Sequence, residues 1–177
     1  MKATGIVRRI DDLGRVVIPK EIRRTMRIRE GDPLEIFTNT GGEVIFKKYS
    51  PIGELSEFAT IYAEALGQAT ALPVIICDRD HCIAAAGISK KEVIERRVTP
   101  FLEDIMEQRR SVSYESDSNP ALEGINRAIR VSSPILNAGD VSGAVVLISD
   151  DSGTNPTEAD IKLASVAASF LGKHMEC

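Results

Sequence analysis

The pattern of apolar and polar residues divides the chain into short strands near the N-terminus and longer helices behind them. In the first fifty residues, β-branched runs and two glycine-containing turns, at residues 11–14 and 39–42, predict two hairpins with one helix between them. Pro19 suits the first turn of that helix, because a first turn leaves its N–H groups unused and proline has none. The predicted strands cover residues 5–10, 15–18, 34–38 and 43–48, and the predicted helix covers residues 20–27.

The rest of the chain has the pattern of a second, mixed domain. Apolar residues at spacings of three and four indicate amphipathic helices, and apolar runs between turn residues indicate buried strands. Thr157 and Asp160 have the spacing of a capping box at the start of the last helix. The helices are predicted over residues 52–70, 90–97, 100–109 and 157–175, and the strands over residues 73–77, 81–86, 128–135 and 143–149. This order predicts an α+β domain with an antiparallel sheet.

The sequence Ser50-Pro51 is the predicted boundary between a domain of residues 1–50 and a domain of residues 51–177. About fifty residues with four short strands and a two-turn helix bury too little surface to make a stable monomer. We therefore expect the first domain to be a dimer whose strands are interleaved.

Charge is distributed unevenly between these two domains. The net charge of the whole chain is −4, which by itself argues against a nucleic-acid partner. Residues 1–50 nevertheless contain 11 basic and 7 acidic side chains, a net charge of +4, whereas residues 51–177 have a net charge of −8. This asymmetry suggests a nucleic-acid-binding part on an otherwise acidic protein. Chance clustering on a solvated face is the alternative interpretation.

Basic residues cover one face of the predicted N-terminal helix, and Ile22 and Met26 lie on another face that can pack inward. Like charges at helical spacing weaken an isolated helix slightly, so a helix that keeps them is suited to contact anions. A solvated basic face, balanced by acidic neighbours, remains the alternative. The basic residues at positions i, i+3, i+4 and i+7 are Lys20, Arg23, Arg24 and Arg27.

Further arginines lie in the predicted N-terminal hairpin. Arg8 and Arg9 belong to its first strand, and Arg15 begins its second strand. The planar guanidinium group binds phosphate through two hydrogen bonds and also pairs with the O6 and N7 atoms of guanine. If the hairpin lies beside the helix, a dimer presents this arginine set twice on one surface.

These residues form part of a recognisable motif. The sequence VRRIDDLGRVVIPKEIRR, from Val7 to Arg24, resembles the signature of the AbrB-like swapped-hairpin DNA-binding domains, and RIREGDPLEIF and GEVIFKKY continue the match to residue 49. The resemblance implies a β-barrel dimer in which the two protomers exchange strands. It also implies a set of DNA contacts in this chain. The expected contacts are Arg8, Arg15, Arg23 and Arg24, with Lys2, Arg9 and Lys20 in support.

The second domain resembles the GAF fold, an α/β sensor module, in the order of its elements and in the stretch from Ser133 to Leu147. With both domains together, the chain is similar to sporulation regulators of endospore-forming bacteria. The resemblance implies a dimer of dimers assembled through helices like those over residues 52–70 and 157–177. It also implies a small-molecule effector of unknown identity, although no cyclic-nucleotide signature is present. A role of this domain in assembly alone is the alternative.

Other residue clusters give little support for metal binding or catalysis. Cys77, His81 and Cys82 are near one another in sequence, but a zinc site needs four ligands with matched spacing. His174 and Cys177 are the other candidates, and nothing in the sequence places them nearby. The sequence has two histidines, so it offers few candidates for a general base in catalysis. We expect no metal, no cofactor and no enzymatic activity.

The expected location is the cytoplasm, in association with the nucleoid. The chain has no apolar run long enough to span a membrane and no apolar segment of a secretory signal. Three cysteines are too few for a disulfide framework, which favours a reducing compartment. We expect no membrane partner.

Together these observations predict a homo-oligomeric regulator that binds double-stranded DNA and both activates and represses sporulation genes. One alternative is an antitoxin, because the swapped-hairpin fold also serves there. An antitoxin would need a disordered toxin-binding tail, whereas residues 51–177 have the pattern of a folded domain. The other alternative is a metabolite-binding protein whose N-terminus only oligomerises.

Overall fold

The structure is a computed structural model that describes residues 4–115 and 119–176. The chain divides into two compact units between Tyr49 and Ser50. Each unit is described separately below.

The first unit contains one short helix and one hairpin. The helix is α1 (Lys20–Thr25), and the antiparallel hairpin pairs β1 (Leu34–Thr38) with β2 (Val44–Lys48). Asn39 closes the hairpin, because its Oδ1 atom accepts hydrogen bonds from the N–H groups of Gly41 and Glu43, both at 3.0 Å. This hairpin is where the sequence predicts it. None of the described residues of this unit is buried in the single chain.

The strands predicted over residues 5–10 and 15–18 are wrong for the single chain, because neither segment belongs to a strand. The turn between them does form, with the N–H of Asp11 donating to the carbonyl of Arg15 at 3.0 Å. The flanking apolar side chains are uncovered, and Val7 is 87% exposed while Val17 is 70% exposed. A two-stranded ribbon needs further strands or a helix against its apolar face, and in the single chain these apolar side chains remain exposed.

Helix α1 ends two residues earlier than predicted, so Arg27 does not share the basic helix face. Arg27 has a positive φ of 51°. The N–H of Ile28 donates to the carbonyl of Arg23 at 2.7 Å, and the N–H of Arg27 donates to the carbonyl of Arg24 at 3.3 Å. These two bonds form a Schellman motif with Arg27 at its left-handed position.

The second unit is built on a five-stranded antiparallel sheet of order β4-β3-β7-β6-β5. An antiparallel sheet in an α+β domain is the predicted architecture, and the prediction is confirmed. The strands are β3 (Val74–Asp78), β4 (Cys82–Ala86), β5 (Val112–Ser113), β6 (Ile129–Asn137) and β7 (Asp140–Ile148). The helices are α2 (Pro51–Glu54), α3 (Ser56–Ala69), α4 (Lys90–Val93), α5 (Pro100–Glu107) and α6 (Glu158–His174).

Helices cover both faces of this sheet. Helices α3 and α6 pack on one face through small residues such as Ala63 and Ala168, and α4 and α5 pack on the other through larger side chains such as Leu102. Helix α6 lies very close to β6, since a Cβ atom on Gly172 would be 2.1 Å from the carbonyl oxygen of Leu136. The result is a three-layer unit with a separate apolar core on each side of the sheet.

Local sequence signals explain where the helices of this unit begin and end. The predicted capping box is present, because the N–H of Asp160 donates to Thr157 Oγ1 at 3.2 Å and the N–H of Thr157 donates to Asp160 Oδ2 at 2.8 Å. The helix predicted over residues 52–70 is interrupted at Leu55, where α2 ends and α3 begins. The helix predicted over residues 90–97 stops at Val93, because Glu95 has a positive φ of 64°.

The chain has no helix, within the residues that the structure describes, that is long and apolar enough to cross a membrane.

Candidate nucleic-acid interface

The candidate DNA-binding residues of α1 are exposed on one short helix. Lys20, Arg23 and Arg24 all project from it into solvent, and Glu21 is the acidic residue in its first turn. The side chains of Lys20 and Arg24 make no hydrogen bond or ion pair with the described residues. Two unpaired cations one helical turn apart are available to neighbouring phosphates.

Arg23 has a structural contact as well as an exposed position. Its Nε atom donates a hydrogen bond to the carbonyl oxygen of Ile18 at 3.2 Å. This bond ties α1 to the segment that enters it and holds the guanidinium group in place. The Nη nitrogens retain donors for an external acceptor.

Arg15 is held by the turn at residues 11–14. Its Nε atom donates to Asp11 Oδ2 at 2.8 Å, and its backbone N–H donates to Asp11 Oδ1 at the same distance. Gly14 completes the turn with a φ of 75°, a conformation that glycine adopts without strain. A turn that ends in a left-handed glycine is a common three-residue hairpin loop.

Arg8 and Arg9 lie in the segment before that turn. Both are exposed, and their side chains make no hydrogen bond or ion pair with the described residues. Lys2 lies outside the described residues. The structure therefore brings Arg15 to Asp11 and Arg23 to the carbonyl of Ile18. It forms no strand ladder between the segments that carry Arg8 and Arg15.

Arg27 and Lys48 take part in the scaffold of the first unit. Lys48 Nζ donates to the carbonyl of Arg27 at 3.0 Å and lies 3.7 Å from Asp32 Oδ2. The same carboxylate accepts from the N–H of Arg29 at 2.8 Å. These contacts fix the chain between α1 and β1, so Arg27 has a role that its position in the basic motif does not indicate.

The two described cysteines form a buried pair in the second unit. Cys77 and Cys82 are opposite each other in the β3–β4 pairing, and both side chains are buried. The pKa of the Cys77 thiol is raised well above its usual range, because Cys82 hydrogen-bonds to it and burial disfavours the thiolate. Thiolates bind metals and thiols do not. Among the described residues, no group of three or more His, Cys, Asp or Glu side chains is placed to hold a metal ion.

An aromatic patch, formed by Phe58, Tyr62, Phe170 and His174, lies on the outer side of α3 and α6. The rings of Phe58 and His174 stack with centroids 4.6 Å apart, and those of Tyr62 and Phe170 stack at 5.4 Å. Phe170 is 46% exposed, and its neighbour Val166 is 61% exposed. Sequence periodicity predicts apolar stripes on both helices, but it does not predict that side chains so far apart in the chain stack on each other.

Comparison with known proteins identifies the family. A family model described as "Stage V sporulation protein T C-terminal, transcription factor" matches residues 54–176, which is more than half of the chain. The chain belongs to the stage V sporulation protein T family. A second model, for the MazE bacterial antitoxin, matches residues 7–53. The resemblance to sporulation regulators with an AbrB-like first domain is confirmed.

Individual members and neighbours agree with this assignment. Stage V sporulation protein T of Bacillus subtilis is 53% identical over 180 aligned positions, which cover 99% of this chain and 99% of that protein. The transition state regulatory protein AbrB of Bacillus subtilis is 59% identical over 51 residues, which cover 29% of this chain and 52% of that protein. The first module of this family member is thus close to AbrB in sequence.

The second unit of this family member has the GAF fold. The GAF domain of an Acinetobacter phosphoenolpyruvate-protein phosphotransferase superposes with a TM-score of 0.57 at 14% identity, over 68% of this chain and 81% of that one. At that identity the similarity establishes the fold alone. The predicted GAF-like architecture is therefore confirmed, and any ligand has to be argued from this chain's own residues.

Proposed function

We propose that this chain is a homo-oligomeric transcription regulator that binds double-stranded DNA through its first fifty residues and both activates and represses sporulation genes. The observation that carries this proposal is the 53% identity to a sporulation protein over 99% of both chains. Residues 51–177 act in assembly and in sensing. A cytoplasmic, nucleoid-associated location goes with this role, as does the absence of enzymatic activity.

DNA contacts are assigned to basic residues of the first unit. Arginines supply affinity through phosphate and some specificity through guanine, and DNA shape supplies further specificity. The exposure of the six assigned residues that the structure describes supports the assignment. The principal contacts are Arg8, Arg15, Arg23 and Arg24, and the supporting contacts are Lys2, Arg9 and Lys20.

The first unit is proposed to form an intertwined dimer. In the single chain none of its described residues is buried, and Val7, Ile10 and Val17 are each at least 70% exposed. Burial of apolar side chains is the main favourable term in folding, so this unit needs a second copy to cover them. Strands exchanged between protomers would cover residues 5–10 and 15–18 and present two arginine sets on one surface.

The second unit is proposed to join two such dimers. The aromatic patch joins α3 to α6, and both helices carry further exposed apolar side chains, Ile61 on α3 and Val166 on α6. Apolar patches of this kind on helices are typical of contacts between copies. A dimer of dimers places two DNA-binding units in one particle.

The two alternative functions make different predictions for DNA. An antitoxin binds DNA but also needs a toxin partner, and the match of residues 54–176 to a transcription-factor model favours a regulator instead. A metabolite-binding protein with an oligomerising N-terminus would not retain duplex DNA at all. Filter binding with the wild-type protein therefore tests the proposed function directly.

Arginine substitutions are expected to weaken DNA binding without changing the oligomer. Arg8→Ala, Arg15→Ala and Arg24→Ala should each cost about 1 kcal/mol or more, which is about fivefold in Kd. Arg110→Ala removes an equal charge from an exposed position of the second unit and should leave Kd nearly unchanged. Fluorescence anisotropy with a labelled duplex measures the decrease in affinity.

Arg23→Ala belongs to the same series but has a second effect. It also removes the hydrogen bond to the carbonyl of Ile18, so a small decrease in melting temperature is expected with it. If the other three variants dissociate or aggregate instead of losing affinity, the arginines are structural and the assignment is wrong.

Effector binding is proposed for a groove between β6 and α6. The groove has a volume of about 350 Å³ and is lined by Arg109, Ser111, Ser133, Ser169 and Lys173 together with neighbouring residues. Small-molecule sites have volumes of roughly 300–1,000 Å³. The lining contains two cationic side chains and one carboxylate, that of Glu176, together with several hydroxyl groups, so its net positive charge favours a small metabolite with an anionic group.

A bound effector should raise the melting temperature. At 100 times its Kd, a ligand adds about 2.7 kcal/mol, which corresponds to roughly 5–10 °C for a chain of this size. A thermal-shift screen of anionic metabolites tests this. Ser169→Trp, which fills the groove, should abolish the shift, whereas Ser152→Trp in an exposed loop should not. Failure of every anionic compound to stabilise the wild type would contradict the effector proposal.

A further inference from the structure

The turn at residues 11–14 contains a carboxylate with more partners than a turn requires. Asp11 Oδ1 accepts hydrogen bonds from the N–H of Leu13 at 3.0 Å and from the N–H of Arg15 at 2.8 Å. These two bonds are enough to fix the turn. Asp11 Oδ2 is therefore not needed for the backbone, and its partner is the Nε atom of Arg15 at 2.8 Å.

This second contact sets the direction of the Arg15 side chain. Arginine has several rotatable bonds, and an exposed arginine without a partner samples many rotamers. The hydrogen bond to Asp11 uses Nε and leaves the Nη1 and Nη2 donors for an external acceptor. Those two nitrogens form the fork that binds a phosphate or the O6 and N7 atoms of guanine.

The adjacent residue Asp12 provides a contrast. It is also exposed, and its side chain makes no hydrogen bond or ion pair with the described residues. Both aspartates bring negative charge next to arginines that are assigned to DNA. Electrostatics alone therefore assigns both the same effect, which is to weaken DNA binding.

We infer that Asp11 is a positioning residue for DNA recognition, which holds the guanidinium group of Arg15 in the orientation that contacts the duplex. The inference rests on the proposed DNA-binding function. The benefit of orientation exceeds the cost of placing a carboxylate near phosphate, because the fork is ordered before DNA arrives and loses less conformational freedom on binding. Asp12 orients no arginine, so its carboxylate only repels the DNA phosphates.

The pKa of Asp11 is consistent with this geometry. The hydrogen bonds from the backbone and side chain of Arg15 lower it below its ordinary value, and the N–H of Leu13 lowers it further. The carboxylate is therefore charged at neutral pH, as an acceptor for a guanidinium group has to be.

Two isosteric substitutions in the full-length chain test the inference. Asp11→Asn keeps an oxygen that accepts from the backbone of the turn, but it puts an amide in place of the charged acceptor of Arg15. Asp12→Asn removes the same charge from the next residue and serves as the matched control. Asp11→Ser is a second variant that still supports a turn through its hydroxyl group. Melting temperature and sizing verify that each variant is folded and assembled.

Binding is measured on a duplex selected from a random-sequence pool by the wild-type protein, and on non-specific poly(dI-dC). We expect Asp12→Asn to bind both duplexes slightly more tightly than the wild type. Asp11→Asn and Asp11→Ser should bind the selected duplex about threefold or more weakly, a change comparable to the removal of one exposed charged pair. The opposite changes in affinity at residues 11 and 12 distinguish positioning of Arg15 from simple charge repulsion.

The same substitution in an Arg15→Ala background gives the decisive comparison. Without Arg15, Asp11→Asn should no longer weaken binding and should behave like Asp12→Asn. An equal decrease in affinity in both backgrounds would make Asp11 a structural turn residue and overturn the inference. Tighter binding by Asp11→Asn in the wild-type background would overturn it too, because Asp11 would then withhold Arg15 from DNA. Failure of the wild type to bind any duplex would instead refute the proposed function.

Discussion

An increase in salt concentration from about 50 to about 200 mM is expected to weaken duplex binding by about 250-fold, because a slope of about −4 in log K against log salt corresponds to that decrease. The physical reason is counterion release. Each phosphate that a cation neutralises frees condensed counterions, and the slope changes by about −0.9 for each such phosphate. Four to five neutralised phosphates in the bound particle are enough to give this slope.

The arrangement of charge in the chain makes this prediction specific to the first unit. Lys20, Arg8, Arg9 and Arg24 are exposed without side-chain partners among the described residues, so binding breaks no ion pairs of theirs. The second part of the chain has a net charge of −8 over residues 51–177, which on average repels DNA. Affinity should therefore depend on cations of the first unit.

Titrations of a labelled duplex at four or five salt concentrations measure the slope. Arg24→Ala should make it less steep by about 0.9 for each phosphate that is no longer neutralised, or about twice that in a dimer. Arg110→Ala should leave it unchanged. A flat salt response of the wild type would exclude arginine–phosphate binding as the main source of affinity.

The second large effect is expected on a long duplex when the aromatic patch is disrupted. Phe170→Asp places a charge in the stacked group formed with Phe58 and Tyr62. Desolvation of that charge opposes any association between copies, so the particle should contain two protomers instead of four. Without the linked second binding unit, binding should then be weaker by about 100-fold, although the DNA-binding residues are unchanged.

Duplex length separates avidity from damage to the site. On a short duplex that has room for one binding unit, Phe170→Asp and the wild type should bind equally. Ser152→Asp adds the same charge in an exposed loop outside α3 and α6, and it should keep both the assembly and the affinity. The acidic second unit also repels DNA, but that repulsion is largely screened beyond about 8 Å at physiological salt. A Phe170→Asp dimer that binds long DNA as tightly as the wild type would show that this unit does not link binding units.

Where neighbouring residues determine an element, the prediction from the sequence agrees with the structure. The hairpin of β1 and β2 is closed by Asn39 within a few residues, and the start of α6 is determined by Thr157 and Asp160. The antiparallel sheet also follows from runs of apolar residues bounded by turns. For the hairpin and the start of α6, the interactions that define the element come from residues close in sequence. The strands of the sheet are also indicated locally, but β3 pairs with β7, which is far from it in the chain.

Features that depend on distant or separate partners were not predictable in the same way. The predicted N-terminal strands are absent from the single chain, where the turn between them forms but its flanking apolar side chains stay exposed. The early end of α1 depends on a left-handed Arg27, whose carbonyl accepts from Lys48, which is far from it in the sequence. Strand β5 is only two residues long, too short for a periodic pattern.

The candidate site contains some features that the sequence predicts and others that it does not. The arginines stand out in the sequence because of their charge and the family motif. The partner of each arginine cannot be recognised from the sequence in the same way. Arg15 is an exception, because an aspartate four residues before it and a left-handed glycine between them are a local signal for the ion pair in the structure. The assignment of DNA-binding roles stays a prediction until the arginine variants are measured.

The described part of the first unit has no buried residues in the single chain, and the proposed dimer would link its folding to protein abundance. If two copies have to meet before this unit acquires a core, its folding is bimolecular, and the folded fraction rises with the total concentration of the chain. At low abundance the DNA-binding half is expected to be open to proteolysis while the GAF unit, which has its own core on each side of its sheet, stays intact. Such a regulator binds DNA only above a threshold concentration of its own chain, and the amount of active protein changes more steeply than the rate of synthesis.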